Sequence, residues 1–330
     1  MHEKKVLTIS VIVAAYRRKT FLKEAIVSLL KQNFSNPIEI IVLKDFESEE
    51  IDILMKERGI KEIRRGNESF GESVSRGIVE STGDILFFLD DDDMFVENKI
   101  ASVYKFFLDY PDLVYYHNSV FPIDKYGNSF EKNPFPKPSS TVLIHIDSGK
   151  VFPKEAFKFN PYFNSSSIAI RKSIILEKLV YLREVSANLD NFYFYCAVIS
   201  GGLLIIDNAI LTKYRVHDST TQILDPSLSE TKLTNYYSRS LQSLNVMIKM
   251  TQNPTYKKMV ACSIVRTKIN LNLILQKSKY GISAKEIFSF ARCPAQKFEA
   301  NPISLLLLHF LSFFFPSIVR FAYWKRKLRK

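Results

Sequence analysis

The chain has 330 residues, a formal net charge of +12, 46% hydrophobic residues and 24% charged residues. That length buries a substantial core as one large domain with an appendage or as two modest ones, and the ordinary globular balance excludes disorder and selects no exotic class. Six basic residues (Arg320, Lys325, Arg326, Lys327, Arg329, Lys330) crowd the last eleven positions, so part of the charge is a tail, and a phosphate-bearing or anionic-membrane partner is favoured over nucleic acid.

The opening MHEKKVLTISVIVAAY imitates a signal peptide, but Thr8 and Ser10 interrupt its apolar stretch and a buried first strand accounts for it better. From Thr8 to Ala15 the β-branched run TISVIVAA has the pattern of a strand buried on both faces of a parallel sheet. In TFLKEAIVSLLKQNF, Phe21, Leu22, Ala25, Ile26, Leu29 and Leu30 recur at helical spacing, which predicts a helix packed back on that sheet. IEIIVL (Ile38 to Leu43), an acidic segment with its own apolar positions, and a short KEIRR follow. The spacing then predicts a helix over ESVSRGIVEST, stopped at Gly83, and an apolar strand DILFFL that ends in four aspartates. Such alternation predicts a doubly wound, mainly parallel α/β sheet, which binds ligands at the carboxyl ends of its strands.

The stretch from 110 to 165 is rich in proline (Pro122, Pro134, Pro136, Pro138, Pro153, Pro161) and reads as loops and short strands rather than a second core. ANLDNFYFYCAVIS is a predicted helix ended by Gly201-Gly202, followed by the strand LLIID and the segment ILTKYRVH. Beyond residue 228 the pattern is that of a helical extension. The expected organisation is a catalytic domain over 1–227, a helical extension over 228–300 and a membrane-associating segment over 301–330. Cys196, Cys262 and Cys293 form no CxxC pair, and the expectation is three thiols in a reducing compartment, with neither a disulfide framework nor a zinc site.

Asp90, Asp91, Asp92 and Asp93 follow directly on an apolar strand, which delivers several carboxylates to one sheet edge. Two like charges about 4 Å apart repel by roughly 4 kcal/mol at a protein-like dielectric, so a bound cation or raised pKa values must relieve the crowding. Carboxylate oxygens suit Mg²⁺ or Mn²⁺, and such ions keep several waters and take further ligands from phosphate. The plainer reading is a solvated acidic loop or a set of helix caps. In YRVH, Arg215 and His217 could both face a diphosphate, since alternate residues of an extended segment point the same way, and His217 is of a type that commonly ligates metal.

The order SVIVAAYRRKTFLKEAIVSLLKQNF, IEIIVLKDFESE, a Gly71-containing helix and TGDILFFLDDDD resembles family 2 glycosyltransferases, whose motifs read roughly SVIIPTYNR, EIIVVDDGS and LDxDD. NSSSIAIRKSII, LDNFYFY and YRVHDSTT extend the resemblance over about the first 220 residues, in the family's order. It implies a GT-A fold and transfer of a sugar, a hexose by expectation, from a nucleotide-sugar to an acceptor hydroxyl. Asp90 is then expected against the donor ribose with Asp91 beside it, and Asp92 as ligand to the Mn²⁺ or Mg²⁺ that bridges the diphosphate. Ala14, Ala15 and Tyr16 match the base-binding turn, and Asp45 the second aspartate of DDGS. Lys44 stands where the family has the first aspartate and Phe46 replaces its glycine, which leaves the donor base open. Asp190 aligns with the catalytic base, although Leu189 replaces the preceding acid; direct attack assisted by one carboxylate implies inversion. Capping of the aromatic helix is the plain reading of Asp190. Arg18 and Arg76 are weaker candidates for phosphate contacts, and a surface arginine is the ordinary explanation of each.

A P-loop nucleotidase is disfavoured, since GxxxxGK[ST] is absent. A GT-A scaffold that binds a nucleotide or glycan without transfer is the second reading. In the tail, Ile303 to Phe315 gives thirteen residues before Pro316, against about twenty for a bilayer span. The expectation is a broken in-plane anchor offering Ile318, Phe321, Ala322 and Leu328 to lipid at the cytoplasmic face of an anionic membrane, which suits a lipid-linked or envelope-glycan acceptor. A helix packed on protein is the alternative. Oligomeric state is left open.

Overall fold

The β-branched first strand, β1 (Ile9–Ala14), is central because it has no polar face: Val11, Ile12 and Val13 are buried on both sides. The structure, a computed structural model, describes residues 6–16, 18–146, 154–217, 229–275, 280–293 and 301–327. By its internal contacts the chain divides into two compact units, one of residues 1–152, 161–185 and 189–215, the other of 153–160, 186–188 and 216–330.

In the first unit α1 (Leu22–Leu30) buries Leu22, Ala25, Ile26 and Leu29, the stripe read from the sequence, and leaves Leu30 exposed. β2 (Ile38–Lys44), α2 (Glu49–Glu57), β3 (Lys61–Arg64), α3 (Phe70–Glu80) and β4 (Ile85–Asp90) complete the alternation. α3 begins at Ser69, whose hydroxyl accepts from the Glu72 N–H. At Gly71 the chain passes so close to Leu182 and Val185 that a Cβ would stand 1.9 Å from the Leu182 carbonyl oxygen.

The remaining elements of this unit are β5 (Met94–Phe95), α4 (Lys99–Asp109), β6 (Leu113–Ile123), β7 (Val142–Ile146), β8 (Ile168–Arg171), α5 (Lys172–Leu176), α6 (Leu179–Leu182), α7 (Leu189–Ser200) and β9 (Gly202–Arg215). The sheet order is β3-β2-β1-β4-β8-β6-β9-β5, with β7 on β9. β3, β2, β1 and β4 are parallel neighbours, and β8 lies antiparallel between β4 and β6. β6 and β9 pair in parallel along almost their whole lengths, with register shifts near Ser119.

Two expectations are corrected here. The stretch from 110 to 165 is more than loops and short strands, since β6 is an eleven-residue strand inside the sheet. Its buried His117-Asn118-Ser119 hid it from a hydrophobicity reading. Most of those groups are bonded in place: His117 Nε2 bonds the Phe163 carbonyl at 2.7 Å, Asn118 Nδ2 donates to Thr212 Oγ1 at 3.0 Å, and Ser119 Oγ donates to the Asp207 carbonyl at 3.0 Å, while Asn118 Oδ1 is buried without a hydrogen-bond partner among the described residues. LLIID and ILTKYR, expected as separate pieces, are one fourteen-residue strand, β9.

The second unit is built from α8 (Ser229–Met247), α9 (Pro254–Leu275), α10 (Ala284–Ala291), α11 (Pro302–Leu311) and α12 (Pro316–Lys327). Its core gathers Leu233, Val265, Ile269, Leu273, Phe290, Leu305, Val319 and Tyr323, so α11 and α12 each present one face to α9. Tyr323 anchors α12 by donating to Asn270 Oδ1 at 2.8 Å. Among the described residues no helix is long and apolar enough to cross a membrane. Leu328 lies outside the described residues.

The cysteine expectation is corrected as well. Cys262 and Cys293 are disulfide-bonded, and Cys196 is a buried free thiol. Residues 31 apart in sequence meet, with Cα atoms 6.2 Å apart, because α9 and the end of α10 pack side by side, a proximity that no spacing rule contains.

Candidate active site

β1 and β4 run in register with Ala14 opposite Asp90, so the two apolar strands end together. The chain turns at once: the Asp91 N–H donates to the Ala14 carbonyl at 3.3 Å and the Asp93 N–H to the Asp90 carbonyl at 3.1 Å. This tight turn is what presents the four carboxylates at one sheet edge. A second segment supports it from beside β8. Asn164, in the left-handed region at φ 66°, donates from Nδ2 to Asp93 Oδ2 at 2.9 Å, and Ser166 Oγ accepts from the Asp90 N–H at 3.0 Å. Asn tolerates that backbone better than most residues, and its side chain also accepts from the Ser166 N–H at 2.9 Å.

The crowding foreseen from the sequence is relieved in two ways. Burial, then the neighbouring charges of Asp93, Asp92, Asp91 and Asp190, push the Asp90 carboxyl well above the ordinary carboxylate range. Asp93 is pushed up to about 7 by burial and then by Asp92, against hydrogen bonds from Arg215, Ser166 and Asn164. The cationic relief comes from Arg18, whose Nε bonds Asp91 Oδ2 at 3.1 Å and whose Nη2 meets Asp91 Oδ1 and, at 2.7 Å, Asp92 Oδ2.

Asp190 lies in the first turn of α7. Its Oδ1 accepts from the adjacent Asn191 N–H at 2.8 Å rather than from an N–H two or three residues on, so its bonding is not that of a helix cap. Burial pushes its carboxyl up to about 6, opposed by N–H groups of Asn191 and Asn164. Asn164 thus touches both carboxylates, Asp93 through its amide and Asp190 through its backbone. Behind Asp190, the Tyr193 ring stacks on Phe88 of β4 with centroids 3.9 Å apart, which ties the helix to the strand that delivers the aspartates.

The expectation for Arg215 is corrected. Instead of facing an open diphosphate site, its guanidinium is fully buried. Nε donates to the Asp92 carbonyl at 2.8 Å, Nη1 to the Asp124 and Lys125 carbonyls at 3.2 Å, and Nη2 to Glu24 at 2.8 Å, with Phe21 under the guanidinium at 4.5 Å. Its N–H donates to Asp93 Oδ1 at 2.9 Å, so Arg215 shapes the acidic turn from behind. His217, just past β9, is a buried residue of the second unit. Arg76 spends its charge on Glu68 and the Arg64 carbonyl, both 3.1 Å away, and not on the aspartates.

The turn expected to bind the base has Ala15 buried and Tyr16 open. Tyr16 is 45% exposed, which argues against core packing, and its ring lies 4.5 Å under the Arg65 guanidinium, which also faces Phe70 at 5.3 Å. Asp45, Phe46, Glu47 and Lys19 line an open cleft of ≈ 400 Å³. Lys44 is buried, with Nζ 2.9 Å from both Asp52 and Glu62 and 3.1 Å from the carbonyl of Phe46.

Among the described residues no three His, Cys, Asp or Glu side chains form a group that could hold a metal alone. The donor chemistry nevertheless fits Mg²⁺ or Mn²⁺, which one or two carboxylates hold together with a diphosphate. Asp92, the ligand expected from the sequence, has its Oδ2 paired with Arg18 at 2.7 Å.

Sequence reasoning missed Arg65, Asn164, Ser166 and Lys99. Lys99 is fully buried beneath the turn, its Nζ donating to the Ser166 carbonyl and to Thr212 Oγ1 at 2.9 Å. Burial holds its ammonium well below the usual lysine range, against the charge of Asp93. In a helix-compatible stretch nothing marks Lys99 as interior, whereas the run NSSS already pointed at Asn164.

The family model described as glycosyl transferase family 2 matches residues 10–175. An uncharacterized glycosyltransferase of Rickettsia bellii is 33% identical over 148 residues, 41% of this chain and 21% of the relative. The chain spans 23% and 24% of two further Rickettsia relatives, so it matches about a quarter or less of those proteins. An uncharacterized glycosyltransferase of Methanocaldococcus jannaschii is 26% identical over 238 residues, 70% of this chain and 77% of the relative. Among solved structures, S. aureus TarS residues 1–349 in complex with UDP-GlcNAc superimposes with a TM-score of 0.59 at 12% identity, covering 97% of this chain and 92% of that one. At that identity the likeness carries the α/β fold alone.

Proposed function

The chain belongs to glycosyl transferase family 2, and from that premise we propose that it transfers a hexose from a nucleotide-sugar to an acceptor hydroxyl with inversion. The observation that supports this most is the convergence, on one strand end, of the Asp90–Asp93 turn with Asp190, a carboxyl pushed up to about 6 by burial. A base poised near neutrality takes the acceptor's proton as its oxygen attacks the anomeric carbon. The nucleotide lies along the β1 end, its base by Tyr16, Arg65 and Asp45, its ribose by Asp90 and Asp91, and its diphosphate within reach of Arg18. Asp92 would be the residue to hold Mn²⁺ or Mg²⁺, which when bound would supply Lewis-acid neutralisation of charge on the departing nucleoside diphosphate. The complex of TarS with UDP-GlcNAc and that protein's complex with UDP support a nucleotide-sugar donor in this fold. We further read the acceptor as a lipid-linked or envelope glycan presented at the cytoplasmic face of a membrane.

A second reading, a scaffold that binds nucleotide or glycan without transfer, is favoured by Lys44, which occupies the first position of the DDGS-like motif and is committed to Asp52 and Glu62. Incubation with UDP-, GDP- and dTDP-sugars and Mn²⁺, followed by assay of released nucleoside diphosphate, separates the two. Release that Asp190→Asn abolishes supports transfer. Donor binding with no release under any condition supports the scaffold.

A further inference from the structure

Eight of the twenty exposed large apolar side chains among the described residues fall between Ile303 and Phe321, which is clustering rather than the normal single scatter. On α11, Leu305 turns inward to the helical core, whereas Ile303, Leu307, Phe310 and Phe314 follow one another at helical spacing and are 57% to 64% exposed. A stripe facing water on a packed helix is ordinarily polar. Phe313, Phe314 and Phe315 crown the corner before Pro316, and on α12 Ile318, Phe321 and Ala322 are exposed while Val319 and Tyr323 are buried. At about 200 Å² for a whole phenylalanine side chain, the five phenylalanines alone expose on the order of 600 Å², the upper end of what a monomer shows. The expected anchor and its packed-helix alternative therefore describe opposite faces of the same two helices.

Charge identifies what meets the outer face. From Asn301 to Lys330 there is no aspartate or glutamate, while Arg320, Lys325, Arg326, Lys327, Arg329 and Lys330 follow the apolar corner. A second copy docked on this face would bring cations to cations. An apolar wedge followed by cations is instead complementary to acyl chains beneath anionic headgroups. We propose that α11 and α12 lie in the plane of a membrane leaflet bearing anionic lipid, with the Phe313–Phe315 corner at the headgroup–acyl boundary and the basic residues at the phosphates. This inference is independent of the transferase reading.

Removal of everything from Asn301 onward would also delete Leu305, Val319 and Tyr323 from the helical core, so point changes on the outer face are the cleaner test. The full chain is sedimented with phosphatidylcholine vesicles with and without phosphatidylglycerol, at low and high salt. Emission of Trp324, the single tryptophan, is followed with brominated acyl chains as quencher. Expected are binding to the anionic vesicles, weakened by salt, and quenching of Trp324. Phe314→Ser with Phe321→Ser lowers partitioning at least about tenfold, on the apolar area lost, without moving the thermal midpoint. Lys325→Gln, Arg326→Gln and Lys327→Gln together remove the preference for anionic lipid. No association with either vesicle, association unchanged in the double serine variant, or lipid-free self-association that the double variant abolishes would each overturn the proposal, the last in favour of a dimer.

Discussion

Arg18 Nη2 stands 2.7 Å from Asp92 Oδ2, and the same guanidinium bonds Asp91 through Nε at 3.1 Å. The protein thus supplies its own cation to the oxygen that the proposed metal would take. Arg18→Gln removes that competitor and also a diphosphate contact. Calorimetry is expected to show Mn²⁺ binding the donor-free variant about tenfold more tightly, the worth of one charge-assisted hydrogen bond, while KM for the donor rises by a similar factor. Weaker binding of both would mean that Arg18 chiefly holds the turn in shape.

Asp190 carries a pH signature with two signs. Its carboxyl sits at about 6 in the folded chain against 3.8 when unfolded, so the folded state binds the proton more tightly. Its ionisation therefore costs stability, with the cost absent below 3.8, growing between 3.8 and 6 and complete above. At about 1.4 kcal/mol per unit, discounted for partial exposure, the cost is on the order of 2 kcal/mol. Asp190→Asn is expected to unfold at a higher temperature than the parent at pH 8 and alike at pH 4. Activity runs the other way: kcat/KM rises with pH through about 6, because the base must be ionised. An alkaline gain in stability together with loss of transfer in one variant identifies the base.

Tyr16, proposed to meet the nucleobase, is half open to solvent with the Arg65 guanidinium over its ring at 4.5 Å. Tyr16→Ala is expected to weaken nucleotide binding about fivefold to tenfold, as one lost stacking partner does, and to leave the thermal midpoint in place. A fall in the midpoint with unchanged binding would make the tyrosine structural.

Gly71→Ala tests the contact between α3 and α6. The new methyl group would stand 1.9 Å from the Leu182 carbonyl and 2.4 Å from that of Val185, and both are backbone atoms that cannot rotate away. The variant is expected to lose about 3 kcal/mol or more in urea unfolding, the upper range for overpacking. A neutral result would show that these helices move apart freely.

Thiol titration of the denatured, unreduced chain is expected to find one reactive group, Cys196, and three after reduction. The bond joins residues 31 apart in sequence, which at loop-closure values contributes about 3 to 4 kcal/mol to the oxidised protein. Cys262→Ser should forfeit most of that. Three reactive thiols before reduction would restore the expectation made from the cysteine spacing.

The parallel half of the sheet was legible because apolar runs, helical stripes and turn residues agreed from Ile9 to Asp90. Most of those elements bury what their local pattern announces, with Leu30 left exposed and Lys44 buried as departures. β6 was not legible, since the partners that His117, Asn118 and Ser119 find in the interior, at Phe163, Thr212 and Asp207, lie far along the chain. The same reason explains the site. Asp90, Asp92 and Asp190 were singled out through type and motif, whereas the burial of Arg215 was not legible because its partners, Glu24, Asp92 and Asp124, lie 91 to 191 residues away. Whether an arginine faces solvent or the interior depends on such distant acceptors, and no local signal contains them.

The antiparallel insertion of β8 between β4 and β6 has a consequence for how the chain matures on the ribosome. When residues up to about 110 have emerged, β3, β2, β1 and β4 can already pair, and Asp90–Asp93 can form their turn. Their supports, Asn164, Ser166 and Arg215, are then not yet made. Until synthesis passes β9 the nascent chain carries a concentrated patch of negative charge without its braces, as well as an unpaired β4 edge. Folding intermediates of this kind attract cations and strand partners alike. A codon-level pause before residue 160 would lengthen that exposure, so the cost of delay in synthesis falls on the acidic turn.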